Sequence, residues 1–316
     1  MAVRDQVTGP LVDSLFLGCR FRKTLANGLR FDFTHTGRIS REFILSAEHP
    51  DHVWEPQTTR LLLHFAAQAE HAIVGGAYFG DQALLMAHAM RAHGGQVHAF
   101  EPGARQHADL VENAHQNDLH TLFARAVGLW SRPGVRLRFD GADELASPSE
   151  APPVSDPETV PTTTVDACLA ERGIAHLDLL MIDVEGGEQS VLQGARHQLE
   201  RPAAEAPVVV FETNSRYSDW SQGLAKAETC VFLAERGYHL YAIRDHHANF
   251  NMQGRPVELI PVDRTFIEGP PHGFNMLAIK NPERLNDPLF RLVQDVSPKL
   301  LPHKGDRRFE PVHDHD

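Results

Sequence analysis

The sequence predicts an α/β protein built on a doubly wound, mostly parallel sheet, and three observations carry that expectation. Short apolar runs alternate with helix-length amphipathic segments through most of the chain, the rhythm of parallel βαβ units. The apolar runs end in Gly, Glu or Asp, where an open α/β sheet places its ligands. One run, Leu177 to Ile182, is apolar on both faces, as a central strand must be.

Residues from about 20 to 46 alternate around the turn signals Asn27-Gly28 and Gly37, with Leu29, Phe31, Phe33 and then Phe43, Leu45 as the apolar partners. They read as short antiparallel strands, so residues 1–54 are expected to form an N-terminal β extension or lid. A helix follows from Pro56 to Gln68 and leads into a strand at His71–Val74. The core then proceeds through helix DQALLMAHAMRAHGG, strand QVHAFEP, helix ARQHADLVENAHQN and a strand near Leu122 to Val127. The segment ASPSEAPPVSDPETVP is dense in Pro and Ser and reads as a surface loop. Strand LDLLMIDVEG, helix EQSVLQGARHQLE, strand APVVVFETN, helix LAKAETCVFLAERG and strands YHLYAIRD and FNMLAIK complete a core over residues 55–280. Residues 281–316, charged and proline-punctuated, read as a surface tail. No internal repeat is visible.

The totals bound the function. A chain of 316 residues, 42% hydrophobic and 23% charged, can bury a sizeable core. The formal charge of -12 argues against a nucleic-acid partner, whose phosphates need clustered Lys and Arg. Cys19, Cys168 and Cys230 form no CxxC, so neither a disulfide framework nor a thiolate zinc site is expected, and a cytoplasmic setting fits. The amino terminus lacks a signal pattern and no run reaches the roughly 18–20 apolar residues of a bilayer span, so neither secretion nor membrane insertion is expected. Most of the 20 histidines are expected in surface or satisfied-core positions.

The strand ends carry the chemistry. The first core strand ends in Val74-Gly75-Gly76-Ala77-Tyr78-Phe79-Gly80, where glycines let backbone approach a ligand and the next helix presents free N–H groups. The second ends in Phe100-Glu101-Pro102, a carboxylate about 25 residues on, placed to accept ribose hydroxyls. Together they point to a nucleoside-bearing cofactor. A dehydrogenase fingerprint would need a second glycine where Ala77 stands.

VGGAYFGDQALLMA, HAFEP with ENAHQN, TTTVDACL, and LDLLMIDVEGGEQSVLQGA resemble the successive motifs of the FkbM-type methyltransferases, the block Ile182 to Gly194 being the most specific. The resemblance spans about two-thirds of the chain, roughly 55 to 280. It implies a class I methyltransferase fold, Rossmann-like with a mostly parallel seven-stranded sheet, S-adenosylmethionine as donor, and O-methylation of carbohydrate or natural-product hydroxyls. Carried over by position, Gly76 and Gly80 would border the methionine and ribose, Glu101 would bind the ribose, and backbone near Val127 would meet the adenine; Gly75, Ala77, Tyr78, Asp81, Pro102 and Asp183 are further cofactor-binding candidates, Asp183 because its central strand should open beside the methyl. This chain departs from the family pattern in two places: Val74 stands where an acid is usual and Tyr78 where Asn is common. Asp81 is either the replacement acid or a group that only favours its helix dipole.

Methyl transfer is an in-line displacement that asks the protein to position an oxygen and remove its proton. Asp183, Glu185, Glu212 and Asn214 converge from neighbouring strand ends; Asp183, Glu212 and Asn214 are candidate Mg²⁺ ligands, similar in placement to those of catechol-type O-methyltransferases. Carboxylates that bind cofactor and acceptor without metal are the other reading. The lysine base of the catechol enzymes is Gly186 here, so His246, His247 and His272 are the candidate bases, with His246 preferred. Trp54, Glu55 and Trp220 are candidates to cover the acceptor. The expected partner is a small carbohydrate-class acceptor, a sugar, nucleotide sugar or natural-product glycoside, with homo-oligomerisation left open. A nitrogen or carboxylate acceptor, and a non-catalytic nucleotide-binding module, are the alternatives the residues leave open.

Overall fold

The computed structural model describes residues 7–140, 147–151, 159–267, 273–301 and 304–312. In chain order the elements are α1 (Gly9–Phe16), β1 (Arg20–Thr24), β2 (Arg30–Thr34), α2 (Arg38–Ile44), α3 (Pro56–Ala66), β3 (His71–Gly75), α4 (Ala83–Met90), β4 (Gln96–Phe100), α5 (Ala104–Gln116) and β5 (Leu122–Arg125). There follow β6 (Gly128–Leu129), β7 (Arg136–Asp140), β8 (Ser147–Glu150), β9 (Val160–Thr163), α6 (Val165–Arg172), β10 (Leu179–Ile182), α7 (Glu188–Gly194), α8 (Arg196–Leu199) and β11 (Val208–Asn214). The chain ends with α9 (Glu228–Ala234), β12 (His239–Ile243), β13 (Val257–Pro261), β14 (Gly273–Ile279) and β15 (Phe290–Leu292).

Asn27-Gly28 turns β1 back onto β2 as an antiparallel hairpin, with Gly28 at φ +89° where a side chain would be strained. The expected strand through Phe43 and Leu45 is instead α2. The Ser40 hydroxyl accepts the N–H groups of Thr36 and Gly37, which starts a helix where the alternation alone read as β. Helical spacing then sends Phe43 into a cluster with Phe31, Phe33 and Phe79, ring centroids 5.1 to 6.4 Å apart. The hairpin is thereby packed onto the loop after β3.

The main sheet has nine strands in the order β15-β13-β12-β14-β11-β10-β3-β4-β5. It is parallel from β5 through β11, antiparallel at β11–β14, β14–β12 and β12–β13, and parallel again at β13–β15. The expected mostly parallel, seven-stranded sheet is therefore corrected to a larger mixed one. β14 enters between β11 and β12 in the reverse direction, and β13 and β15 add an edge that the prolines around VELIP and the brevity of FRL concealed. Order reverses between β3 and β10: β4 and β5 continue to one side, β11 to the other. β10 is buried along its length because apolar clusters pack on both faces.

Two further expectations are corrected. The segment read as a surface loop contributes β8 and β9, which join β6 and β7 in a four-stranded sheet of order β6-β9-β7-β8. Residues beyond 281 are not a surface tail: β15 pairs with β13, and Val293, Ser297, Lys299 and Leu300 are buried. The fully buried Arg244 holds this strap, donating to the carbonyls of Ser297 and Arg308 (2.8 Å each) while paired with Glu258 at 2.6 Å. Among the described residues no helix is long and apolar enough to cross a membrane.

Candidate active site

The turn after β3 is fixed by backbone before any ligand arrives. The N–H groups of Gly76 and Ala77 both donate to the Phe100 carbonyl at 3.0 Å, tying the ends of β3 and β4 together. Gly76 sits at φ +78°, and a Cβ there would lie 1.7 Å from the Asp183 carbonyl oxygen, so only glycine fits. Gly80 serves packing instead: its Cβ would meet Leu84 Cδ1 at 2.0 Å. Tyr78 holds a left-handed backbone (φ 47°) that Asn adopts more easily. Its N–H donates to Glu101 Oε2 at 2.8 Å and its hydroxyl pairs with Thr36 Oγ1 at 2.5 Å, contacts that offset the strain.

Glu101 is the hinge of this end of the site. One oxygen accepts Tyr78 N–H and the other Gly103 N–H (2.7 Å), which leaves each a second lone pair for a hydroxyl donor. Burial pushes its carboxyl up to about 7. A cavity of about 340 Å³ opens beside it at the switch point, lined by Gly76, Tyr78, Asp81, Glu101, Pro102 and Gly103 on one wall and reaching Met181, Asp183, Val184 and Glu185. Its apolar slot is made by Phe100, Leu129, Leu137, Phe139, Pro148 and Val160. Gly75, Ala77 and Gly80 support the turn without lining the cavity. Val127 packs on the core, and it is its neighbours Gly128 and Leu129 that line the cavity. The slot residues of β7 to β9 escaped sequence reading, although Val135, Leu137 and Phe139 alternate with Arg136 and Arg138 in the period of a strand.

Asp81 is buried in the same cavity, and burial first, then the charge of Asp183, raises its carboxyl to about 7. Asp183, Glu185 and Glu212 converge, each offering an oxygen within 4.8 Å of the others. Glu185 holds a left-handed backbone (φ 52°), and Glu188 accepts the N–H groups of Val184 and Gly186 to shape the loop that presents it. Burial, then Asp183 and Glu185, holds the Glu212 carboxyl well above the usual range. Asn214 lies beside Glu212 across from Gly273, but its Oδ1 accepts Arg216 N–H at 3.1 Å.

A second polar group adjoins this floor. Asn275 pairs with Glu212 in the β11–β14 register, so both side chains leave the same face. Asn275 Nδ2 donates to Glu55 Oε2 at 2.6 Å. Glu55 Oε1 lies 3.4 Å from His247 Nε2, and His247 Nδ1 lies 2.9 Å from Lys299 Nζ. Glu55 is raised well above the carboxylate range by burial, then by Asp245 and Asp183; burial lowers Lys299 to about 8. Asp245 accepts the N–H groups of Gln57 and Thr58, capping α3 and fixing Glu55 at its start. His246, preferred from sequence, is turned elsewhere: it is buried, packs at a tilt on Phe250 with ring centroids 4.6 Å apart, and burial lowers it to about 4. Trp54 lies against His247 (5.7 Å) with Arg38 over its ring, and Trp220 packs on Phe274 at 5.4 Å. His272 lies outside the described residues.

Fold and cavity together define a Rossmann-like α/β protein with a cavity at its switch point. Residues 75–240 match the family model described as the Methyltransferase FkbM domain, more than half of the chain, and the chain belongs to the FkbM methyltransferase family. It is thus a methyltransferase rather than a dehydrogenase. Among solved structures it is similar to the FkbM methyltransferase of Methylobacillus flagellatus KT, with 12% identity, TM-score 0.39, and 66% of this chain but 43% of that chain covered. It is also similar to a SAM-dependent methyltransferase from Agrobacterium tumefaciens (12% identity, TM-score 0.42, 82% and 69% covered). An O-methyltransferase from Bacillus cereus in complex with SAH gives 10% identity, TM-score 0.39, and 89% and 100% covered. No curated protein matches the chain.

Proposed function

We propose that this chain transfers the methyl group of S-adenosylmethionine to a hydroxyl oxygen of a small, uncharged polar acceptor of the sugar or glycoside class. The observation that carries the reading is the switch-point cavity, whose parts fit the donor in order. The apolar slot of Phe100, Leu129, Leu137 and Phe139 suits an adenine, and Glu101 presents two lone pairs at ribose height. Asp81 supplies the buried acid missing at Val74 and would face the donor's ammonium, whose charge a buried carboxyl needs. S-adenosylmethionine brings a methyl carbon already activated by its sulfonium. The chain's own task is to align an oxygen and receive its proton.

The floor of Asp183, Glu185 and Glu212 supports a hydroxyl acceptor, because clustered carboxylates accept several hydroxyl hydrogen bonds. The same floor repels a diphosphate, so a free sugar or glycoside suits it better than a nucleotide sugar. A second reading adds Mg²⁺, held by Asp183, Glu185 and Glu212, with Glu185 taking the place first given to Asn214; their 4.8 Å grouping favours it. Cys19, Cys168 and Cys230 are unpaired, which supports the cytoplasmic setting. Calorimetry should show S-adenosylhomocysteine binding and no NAD binding. Labelled S-adenosylmethionine should then transfer label to a member of a panel of monosaccharides, glycosides and nucleotide sugars. NAD binding without S-adenosylhomocysteine binding overturns the reading.

A further inference from the structure

The groups that adjoin the carboxylate floor come from outside residues 75–240, the stretch that carries the family match. Glu55 stands at the start of α3, His247 in the loop after β12, Asn275 on β14, and Lys299 on the C-terminal strap. Each is held in place. Asn275 fixes one Glu55 oxygen, the α3 turn is capped by Asp245, and the strap is clamped by Arg244 and paired to Asp245 by the bridge Asp245–Lys299. Glu55 also holds a left-handed backbone at φ 48°, a strain that persists only where surroundings over-determine it.

We propose that Glu55 and His247 form a subsite for one hydroxyl of the acceptor, and that Lys299 is a positioning residue that fixes the His247 tautomer. The proposal rests on the hydroxyl-acceptor reading above. An ammonium only donates, so the His247 nitrogen 2.9 Å from Lys299 Nζ must accept, which leaves the hydrogen on Nε2, the nitrogen on the Glu55 side of the ring. The 3.4 Å between Nε2 and Glu55 Oε1 is long for a strong bond between them. A hydroxyl oxygen placed off the line between them can accept from Nε2 and donate to Oε1, which satisfies both groups. The side chains of Glu55 and His247 are 8% and 17% exposed, so the pair is largely desolvated. Among the described residues, Lys299, Arg38, Asp245, Asp183 and Glu212 are charges around it.

Two measurements on the full chain with S-adenosylhomocysteine test this. Long-range ¹H–¹⁵N NMR of the imidazoles, with His247 assigned through His247→Gln, should find its proton on Nε2. Lys299→Met should shift that population toward Nδ1–H, and Lys299→Arg should restore it. Crystals soaked in ethylene glycol, used as a generic hydroxyl probe, should show an oxygen within hydrogen-bond distance of both Glu55 Oε1 and His247 Nε2, lost in Glu55→Ala. A native Nδ1–H tautomer overturns the role of Lys299. Glycol bound elsewhere with this position vacant, or an adventitious additive only, seen unchanged in Glu55→Ala, overturns the subsite. On an acceptor found with the panel, Lys299→Met should raise KM more than it lowers kcat. S-adenosylhomocysteine affinity should stay within about twofold in Lys299→Met and Glu55→Ala; failure of the native protein to bind it would instead refute the methyltransferase chemistry proposed above and leave the tautomer result standing.

Discussion

Replacing Glu101 separates binding from folding, because its carboxylate does both. In the free protein it accepts two backbone N–H groups, Tyr78 at 2.8 Å and Gly103 at 2.7 Å, and so fastens the turn after β3 to the turn after β4. Glu101→Ala leaves both donors in a half-buried site without their acceptor. At about 1–2 kcal/mol each, the loss is about 2–4 kcal/mol, or a fall in Tm of roughly 4–10 °C. The ribose hydroxyls would lose their acceptor as well, a further 1.5–3 kcal/mol or so, which weakens S-adenosylhomocysteine roughly 10- to 150-fold. Glu101→Gln is no milder at the turn: both oxygens face N–H donors, so the amide must set its own NH₂ against one of them. Thermal unfolding and calorimetry on the same samples give the two effects separately. A folded Glu101→Ala variant with lowered Tm and an unchanged dissociation constant would refute the ribose assignment while leaving the turn intact.

Three further outcomes are expected. Asp81, raised to about 7 in the free protein, should lose its proton when the donor's ammonium arrives, so S-adenosylhomocysteine binding near pH 7 should release a proton measurable by calorimetry in two buffers of different ionisation enthalpy, and Asp81→Asn should abolish that release. Asp183→Asn should reduce turnover by about 10²-fold or more with little change in cofactor affinity; EDTA inhibition reversed by Mg²⁺ would favour the metal reading, while near-normal turnover would remove Asp183 from the chemistry. His98, buried with no partner on either ring nitrogen among the described residues, is lowered to about 4, by burial first and then by Arg172. A depressed folded value means its contribution is complete above the unfolded value of about 6.5 and is lost as pH falls from there toward 4. His98→Phe should therefore flatten the acid side of the stability profile by about 1–3 kcal/mol, and a parallel profile in chemical denaturation would show that another group governs it.

The N-terminal hairpin shows where local sequence stops deciding. Asn27-Gly28 between alternating strands fixes β1 and β2, because that turn type follows from the dipeptide itself. Phe43 and Leu45 carry the same alternation, yet Phe43 sits in a helix and Leu45 caps its end, since Ser40 bonds the N–H groups of Thr36 and Gly37 and aromatic packing rewards the helical spacing. β13 and β15 were illegible for a related reason: a strand between prolines, or one only three residues long at the sheet's edge, gains its pairing from the sheet it joins.

In the site, the sequence by itself determined the groups that a βα turn must place at the carboxyl end of its strand. Gly76, Glu101, Asp183 and Glu185 follow from strand ends alone, as strand direction and pleat fix their position whatever packs around them. Tertiary structure decided everything that comes from distant segments. Asp81 as a cavity acid, Leu137 and Phe139 as the slot, His247 in place of its neighbour His246, and Lys299 delivered by a strap that reads as a tail all depend on contacts between residues far apart in the chain. No local pattern encodes those contacts, because the free energy that makes them is burial and hydrogen bonding between elements, which exists only once the sheet has brought the elements together.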